Sequence, residues 1–440
     1  MIHNRRKFIK QGSLIGVGTA AAFLFPMDLL ASIRRKTSPN DKIGVGLIGC
    51  NGMGFSDLTS MLKMSEIQVV ALCDVDDSVL KKRTADLEKA GIKKPKLYKD
   101  YRKLLEDKDV DVVIIGTPDH WHCLQLSDAV KAGKDVYCEK PLANSIEECN
   151  LMLNSVQASD RMVQIGQWQR SQPHFVDAID FVHSGKLGEI RLAKAWAYQG
   201  WMGSIPVLSD TAAPAGVDYD MWLGPAPKRP FNANRFHFNF RWYWDYAGGL
   251  MTDWGVHLID YALYGMKANT PKSVMALGGK FAYPDDASET PDTLQTVYEY
   301  DGFSILWEHA TGIDNGNYGR NHGISFIGNN GTLVLDRKGW EVISEKDKMQ
   351  SIPLQKNQGS GLDNHTVNFI EAVKSRDGSK LKAPLQVGYD AALVCHMGNI
   401  AFKTGNRIYW DNYSGQFSED KANDLIPAHY HNGWELPKGR

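Results

Sequence analysis

Three clusters of residues in this chain have types and spacings suited to chemistry. The first is Gly49-Cys50-Asn51-Gly52-Met53-Gly54, between an apolar run at 42–49 and a helix-like stretch near 55–65. Gly49 allows a tight turn and Gly54 lets a helix pack closely on a strand. The free N–H groups at the helix start then face an anionic pyrophosphate. Asn51 stands where the usual glycine fingerprint has its second glycine; Asn tolerates a left-handed backbone, and Gly52 lies beside it. Asp74 ends the second apolar run, 25 positions after Gly49. A carboxylate there binds both ribose hydroxyls and repels a 2′-phosphate, which favours NAD(H) over NADP(H). Capping the next helix is the competing role, and Asp76 or Asp77 fits it better.

The second cluster is Cys138-Glu139-Lys140-Pro141, at the end of an apolar strand run. In parallel α/β sheets that end is the edge where ligands bind. The third runs from Gly248-Gly249 through Asp253 and His257 to Asp260. Asp253 and His257 are four apart, so on a continuous helix they share one face. Thr117-Pro118-Asp119-His120-Trp121-His122 closes another apolar run near the same edge, with Asp119 suited to capping a helix. Packing against a dinucleotide suits this turn better than metal binding, because Cys123 completes no zinc-like spacing.

The elements that must position these clusters alternate. Strands at 42–49, 68–72, 110–115, 135–138 and 162–165 are separated by helices near 55–65, 77–90, 101–106, 121–132 and 145–158. That order implies right-handed βαβ units in a doubly wound parallel sheet. After about residue 187 the pattern changes to β-rich segments at 189–198, 272–282, 293–300, 303–310, 321–327 and 331–335. Turns at Asp301-Gly302 and Asn329-Asn330-Gly331 make these an open, mainly antiparallel sheet. Helices near 248–266, 364–375 and 386–404 accompany it. The expected fold class is therefore α/β, a Rossmann sheet followed by a second α/β domain. The expected bounds are a leader at 1–36, a nucleotide domain at 40–166, a substrate and oligomerisation domain at 167–410, and an extension at 411–440.

In this order and spacing, the Gly-rich strand, the Thr117–His122 turn, Glu139-Lys140-Pro141 and Gly248-Gly249…Asp253…His257 resemble one family over roughly residues 42 to 410. It is the glucose–fructose oxidoreductase, inositol dehydrogenase and rhizopine-catabolism (Gfo/Idh/MocA) family. The resemblance implies hydride transfer to or from a sugar or cyclitol. It implies that Lys140 lies near the nicotinamide and the reacting hydroxyl, stabilising a developing alkoxide. His257 would be the general base in oxidation and the acid in reduction. Asp253 would fix the substrate or assist both. Thr117, Pro118, His120, His122 and Glu139 would contact the cofactor, and by analogy a dimer or tetramer is expected. An alternative in the same superfamily is an NAD-dependent glycosidase (glycoside hydrolase family 109). It uses transient oxidation at C3, elimination and water addition, with no net redox change.

Aromatic residues crowd 219–246, among them Trp222, Phe236, Phe238, Phe240, Trp242 and Tyr246, with His237 and Arg241 interleaved. Ring faces beside polar groups suit a saccharide; a core under the loop or a subunit interface accounts for them equally. Trp168 and Arg170 follow the last Rossmann strand and line the same cleft in this reading. Tyr318, Arg320 and His322 are further candidates.

With 43% apolar and 23% charged residues, the composition is that of an ordinary globular protein. Asn4-Arg5-Arg6-Lys7-Phe8-Ile9-Lys10 precedes an apolar stretch from Leu14 to Leu30, which reads as a twin-arginine export signal to the periplasm. Without residues 1–36 the balance is 43 basic against 50 acidic residues, a net charge of −7 with no basic stripe for nucleic acid. The six cysteines form no CxxC pair and read as buried, inert thiols. An exported nicotinamide protein must carry its cofactor with it and regenerate it in place.

Overall fold

The computed structural model describes residues 42–438, so the export motif lies outside the described residues. Six strands form the first sheet: β1 (Ile43–Ile48), β2 (Ile67–Cys73), β3 (Lys96–Tyr98), β4 (Val112–Ile115), β5 (Asp135–Cys138) and β6 (Val163–Ile165). Their order is β3-β2-β1-β4-β5-β6, and every pairing is parallel. The register aligns Ile48 with Cys73 and Ile115, Ile115 with Cys138, and Cys138 with Ile165. The turns after β1, β2, β4 and β5 therefore emerge at one edge, around the point where strand order reverses. Apart from the edge strand β3, the strands are buried almost throughout, as sheets covered on both faces require.

Helices α1 (Gly52–Met61), α2 (Asp77–Lys89), α3 (Tyr101–Leu105), α4 (His122–Lys131) and α5 (Ile146–Gln157) connect these strands. Asp76 caps α2 by accepting from the Ser78 amide at 2.8 Å. Ser145 caps α5 by accepting from the Glu148 amide at 3.1 Å, and Glu148 reaches back to the Asn144 amide at 3.1 Å. Asp119 makes no capping hydrogen bond; its turn is a short 3-10 helix (Asp119–Trp121) begun by Pro118.

The second sheet has ten strands: β7 (Ile190–Gln199), β8 (Ser273–Gly279), β9 (Thr293–Glu299), β10 (Ser304–Thr311), β11 (His322–Gly328), β12 (Gly331–Asp336), β13 (Gly339–Ser344), β14 (Ile352–Lys356), β15 (Ile408–Asp411) and β16 (Gln416–Phe417). It is mostly antiparallel, with β7 and β10 parallel. Its helices are α6 (Pro173–His183), α7 (Tyr219–Leu223), α8 (Gly249–Asp253), α9 (Gly255–Met266), α10 (Gly361–Ser375), α11 (Leu385–Thr404) and α12 (Asp420–Asn423). The inner face buries Trp307 and Phe326 against Ile179 of α6, Tyr261 of α9 and Val394 of α11.

The Rossmann half is not closed by its own residues. Phe369, Ile370 and Val373 of α10 join the core that contains Leu58 and Tyr137. Asp363 accepts from Ser60 at 2.7 Å and pairs with Lys63 at 2.6 Å. Residues 428–434 then cross its far side. Tyr430 donates to Glu148 at 2.8 Å, and the Trp434 ring packs edge-on against Trp121 at 4.9 Å. The six cysteines are buried and unpaired.

Candidate active site

The glycine turn forms a close-fitting cradle. Gly49 has φ +82°, and a Cβ there would lie 2.7 Å from the Gly116 carbonyl and the Thr117 nitrogen. A Cβ on Gly116 would come within 2.6 Å of the Gly54 Cα, so the turns after β1 and β4 touch backbone to backbone. Asn51 does not take the left-handed conformation expected of it. It is extended (φ −101°, ψ 170°) at the start of α1, and Gly52 carries the positive φ of 48°. Gly52 is the residue without a Cβ penalty, which frees the Asn51 side chain to accept from Arg83 at 3.1 Å. Arg83 also donates to the Cys50 carbonyl at 3.1 Å, bracing the turn from α2. Sequence reasoning missed Arg83, because its helix reads as an ordinary charged surface.

Asp74 reaches over this turn. One carboxylate oxygen accepts from the Cys50 amide at 2.8 Å and the other from the Asp76 amide at 3.1 Å. Burial raises its pKa, and the two amides oppose that rise. A cavity of about 380 Å³ runs from Asp74 past Asn51, Gly52 and Met53 to Thr117, Pro118, Glu139, Lys140 and Asp253. That volume suits a small-molecule ligand. The cradle, the amides at the start of α1 and the carboxylate of Asp74 fit a dinucleotide.

At the far end, Lys140 donates to the Asp253 main-chain oxygen at 2.7 Å and to its carboxylate at 2.9 Å. A helix break makes the first bond available. The expected helix over 248–266 is two helices meeting at Trp254, and the His257 amide turns to the Trp254 carbonyl at 3.1 Å. In a continuous helix that amide would have taken the Asp253 carbonyl. Arg241 donates to the Asp253 carboxylate at 3.2 Å, its guanidinium lying over the Phe238 and Phe240 rings. Burial opposes ionisation of Asp253, but Lys140 and then Arg241 outweigh it and hold the carboxyl well below its ordinary range. His257 is buried with Nδ1 enclosed and unbonded. Burial, then the charges of Lys140 and Arg337, push its pKa well below the ordinary value, so the imidazole is neutral.

Three more carboxyls lie in or beneath this end. Burial pushes Asp119 up to about 7 and Glu139 up to about 7. Asp57 of α1 lies near Glu139 in the interior, and burial with mutual repulsion raises its pKa. Asp57 carried no signal in the sequence, since an acid in a helix is unremarkable.

The other candidates divide. His237 lines the cavity, bonded to Asp76 at 2.8 Å, and Trp121 lines it where the neighbouring histidines do not. His120 sits behind it, 3.1 Å from the Trp222 carbonyl and packed on Trp222 and Tyr246. His122 lies between the Pro141 and Thr117 carbonyls at 2.8 and 2.9 Å; burial lowers its pKa, and the neutral ring donates to one of the two. Trp242 is buried in a separate aromatic core with Trp222 and Tyr246. Trp168 approaches His257, ring centroids 6.4 Å apart. Arg170 is held by Asp260 through three contacts of 2.6–3.0 Å and does not line the cavity. Tyr318 is 44% exposed and rests on Trp196, away from the cavity.

A parallel β3-β2-β1-β4-β5-β6 sheet with this glycine cradle defines a dinucleotide-binding α/β protein of the oxidoreductase type. Residues 43–167 match the profile of the oxidoreductase family NAD-binding Rossmann fold, and residues 190–436 match that of its C-terminal alpha/beta domain. The chain belongs to the Gfo/Idh/MocA oxidoreductase family. It is 26% identical over 206 residues to an alpha-N-acetylgalactosaminidase of Shewanella oneidensis, covering 43% of this chain and 45% of that protein. It is 36% identical over 148 residues to an inositol 2-dehydrogenase of Salmonella typhimurium, covering 33% of this chain and 42% of the relative. The chain thus spans less than half the length of these curated relatives. Levoglucosan dehydrogenase in complex with NADH and levoglucosan shares the fold at a TM-score of 0.63 and 18% identity, covering 84% of this chain and 99% of that one. An aldose-aldose oxidoreductase from Caulobacter crescentus does so at 0.62 and 19%, covering 84% and 99%.

Proposed function

We propose that this protein is an NAD(H)-dependent oxidoreductase acting on a hydroxyl or ketone of a sugar, cyclitol or glycoside, with its cofactor tightly held. The observation that carries the reading is the Lys140–Asp253 pair at the binding edge of the Rossmann sheet, with a neutral imidazole beside it. NAD, when bound, supplies the hydride acceptor. The Lys140 ammonium, fixed by two oxygens of Asp253, donates toward the substrate oxygen and stabilises charge as it develops there. His257 takes the hydroxyl proton in oxidation and returns it in reduction; with Nδ1 enclosed, Nε2 is the nitrogen that serves. The Phe238 and Phe240 rings, with Arg241 across them, offer faces for sugar C–H groups.

Asp74 supports NAD over NADP. Arg83 is bonded to Cys50, Asn51 and Asp86, so it braces the turn rather than waiting for a 2′-phosphate. The Arg5-Arg6 motif and the apolar stretch to Leu30 support twin-arginine export to the periplasm, where tight cofactor retention is required. The relatives' names carry a second reading, a glycosidase that oxidises its sugar only transiently.

The deciding experiment is mass spectrometry and absorbance of the nucleotide released by denaturing the protein, before and after incubation with a glycoside panel. Stoichiometric NAD that becomes NADH, with the sugar left oxidised, supports the dehydrogenase. Aglycone release with the nucleotide's redox state unchanged supports the glycosidase. No copurifying nucleotide overturns tight retention.

A further inference from the structure

Arg337 stands in the turn between β12 and β13, a place where Asp-Arg-Lys-Gly reads as a solvated hairpin. Instead the side chain folds inward. Its guanidinium carbon lies 5.1 Å from the centroid of the Trp168 ring and 4.7 Å from that of Trp254. Its Nε is enclosed and unbonded, and no hydrogen bond or ion pair holds the group among the described residues. The nearby carboxylates are committed elsewhere. Asp336 pairs with Arg320 at 3.0 Å and accepts two turn amides, and Glu341 also pairs with Arg320. Asp253 is the carboxylate whose charge reaches Arg337, and Lys140 and Arg241 already occupy it.

Lys140 and Arg241 thus bond one carboxylate, and the Arg337 charge is felt there without a bond, beside two histidines that are neutral. Burial lowers the His322 pKa to about 4, and the Arg337 charge adds to the depression of both His322 and His257. The two ring contacts hold the guanidinium with Nε enclosed, while its two terminal nitrogens stay accessible and have no protein partner among the described residues. Lys140, Arg241 and Arg337 against Asp253 leave a positive surplus next to the proposed proton-transfer group.

We propose that the substrate is an acidic sugar whose carboxylate is received by Arg337, the two tryptophan rings bracketing the ion pair. This rests on the sugar reading above. One planar fork matches one carboxylate in charge and shape.

The test is calorimetric titration of D-glucuronate, methyl glucoside and glucose 6-phosphate into the NAD-loaded protein, alongside Arg337→Gln and Arg337→Met. Binding of NADH, read by its fluorescence, verifies that the variants fold. Glucuronate is expected to bind about 10- to 100-fold tighter than methyl glucoside, the value of one or two hydrogen bonds to a charged group. Both variants should bring that ratio to within about threefold of unity, with methyl glucoside unaffected. Equal binding of acid and neutral sugar, no binding of the acid, or a preference that survives both variants overturns the proposal. Tighter binding of glucose 6-phosphate than glucuronate overturns its carboxylate assignment. The two readings separate in the absorbance of the bound nucleotide. Arg337-dependent glucuronate binding without reduction leaves the anion site standing and removes the redox reading. Reduction by methyl glucoside with no acid preference does the reverse.

Discussion

Asp253→Asn keeps the shape of the central side chain and removes the one charge that Lys140 and Arg241 share. The Lys140–Asp253 contact is 2.9 Å, with the side chains only 12% and 18% exposed. Two unit charges that close attract by about 6 kcal/mol at an effective dielectric near 20. The Asn oxygen and the retained 2.7 Å bond to the main-chain carbonyl recover part of this. The expected net loss is about 3 kcal/mol, near the lower end for breaking a buried pair by removing one partner. Its pH dependence has a definite sign. The folded pKa of Asp253 is depressed, so its stabilisation is present above the ordinary carboxylate value of 3.8 and is lost as pH falls below it. Urea unfolding of wild type and variant, at one fixed saturating NAD concentration, should therefore show the same deficit at pH 5.5 and pH 8. Hydride transfer should fall by about 100-fold or more, because the ammonium loses its fixed position. NADH affinity should hold, since the glycine cradle is untouched. A deficit under about 1 kcal/mol, or one that disappears between pH 5.5 and 8, would refute the view that this carboxylate organises the cations.

Other perturbations probe the remaining groups. Asp74→Asn should weaken NADH binding about tenfold and narrow the gap to NADPH, read by fluorescence titration; an unchanged ratio removes Asp74 from cofactor selection. For the Asp57–Glu139 pair, the folded state holds a proton that the unfolded chain releases between the ordinary value of 4.5 and about 7. Stability should therefore fall as pH rises through that window, and Glu139→Gln should gain about 1–3 kcal/mol on wild type between pH 5 and pH 8. Parallel stability curves would show that Glu139 ionises freely. Trp434→Ala should cost about 1–2 kcal/mol and raise amide exchange across 117–131, where the strap meets Trp121. Exchange confined to the strap itself would show that it adds nothing to the cavity wall.

The nucleotide-binding half was readable because its determinants are local. Parallel strands are continuous apolar runs, and the turns that bind ligand follow them directly, so Gly49, Asp74 and Lys140 announce themselves. What escaped was set by tertiary contact. The Asp253–His257 spacing suggested one helix, but the helix breaks at Trp254 and the Asp253 carbonyl left free there goes to Lys140, 113 positions away. Arg170 looked like a cleft residue because the Asp260 that binds it is 90 positions away. Arg337 sits in a sequence indistinguishable from a solvated turn, and only its two tryptophan neighbours, 169 and 83 positions distant, show that it is not one. Strands β13 to β16 are short and largely polar on one face, so they carried too little periodicity to be recognised.

The strap that joins Trp434 to Trp121 spans 313 positions, and α10 fills the Rossmann core from nearly as far away. A ribosome that has just finished β6 has therefore made every strand of the nucleotide sheet without the helix that seals one side or the segment that braces the other. Contacts of such separation form late and slowly. The cofactor-binding half should consequently mature last although it is translated first, and NAD capture would report completion of nearly the whole polypeptide. Under the twin-arginine export proposed above, that ordering would make loading with cofactor and readiness to depart a single event.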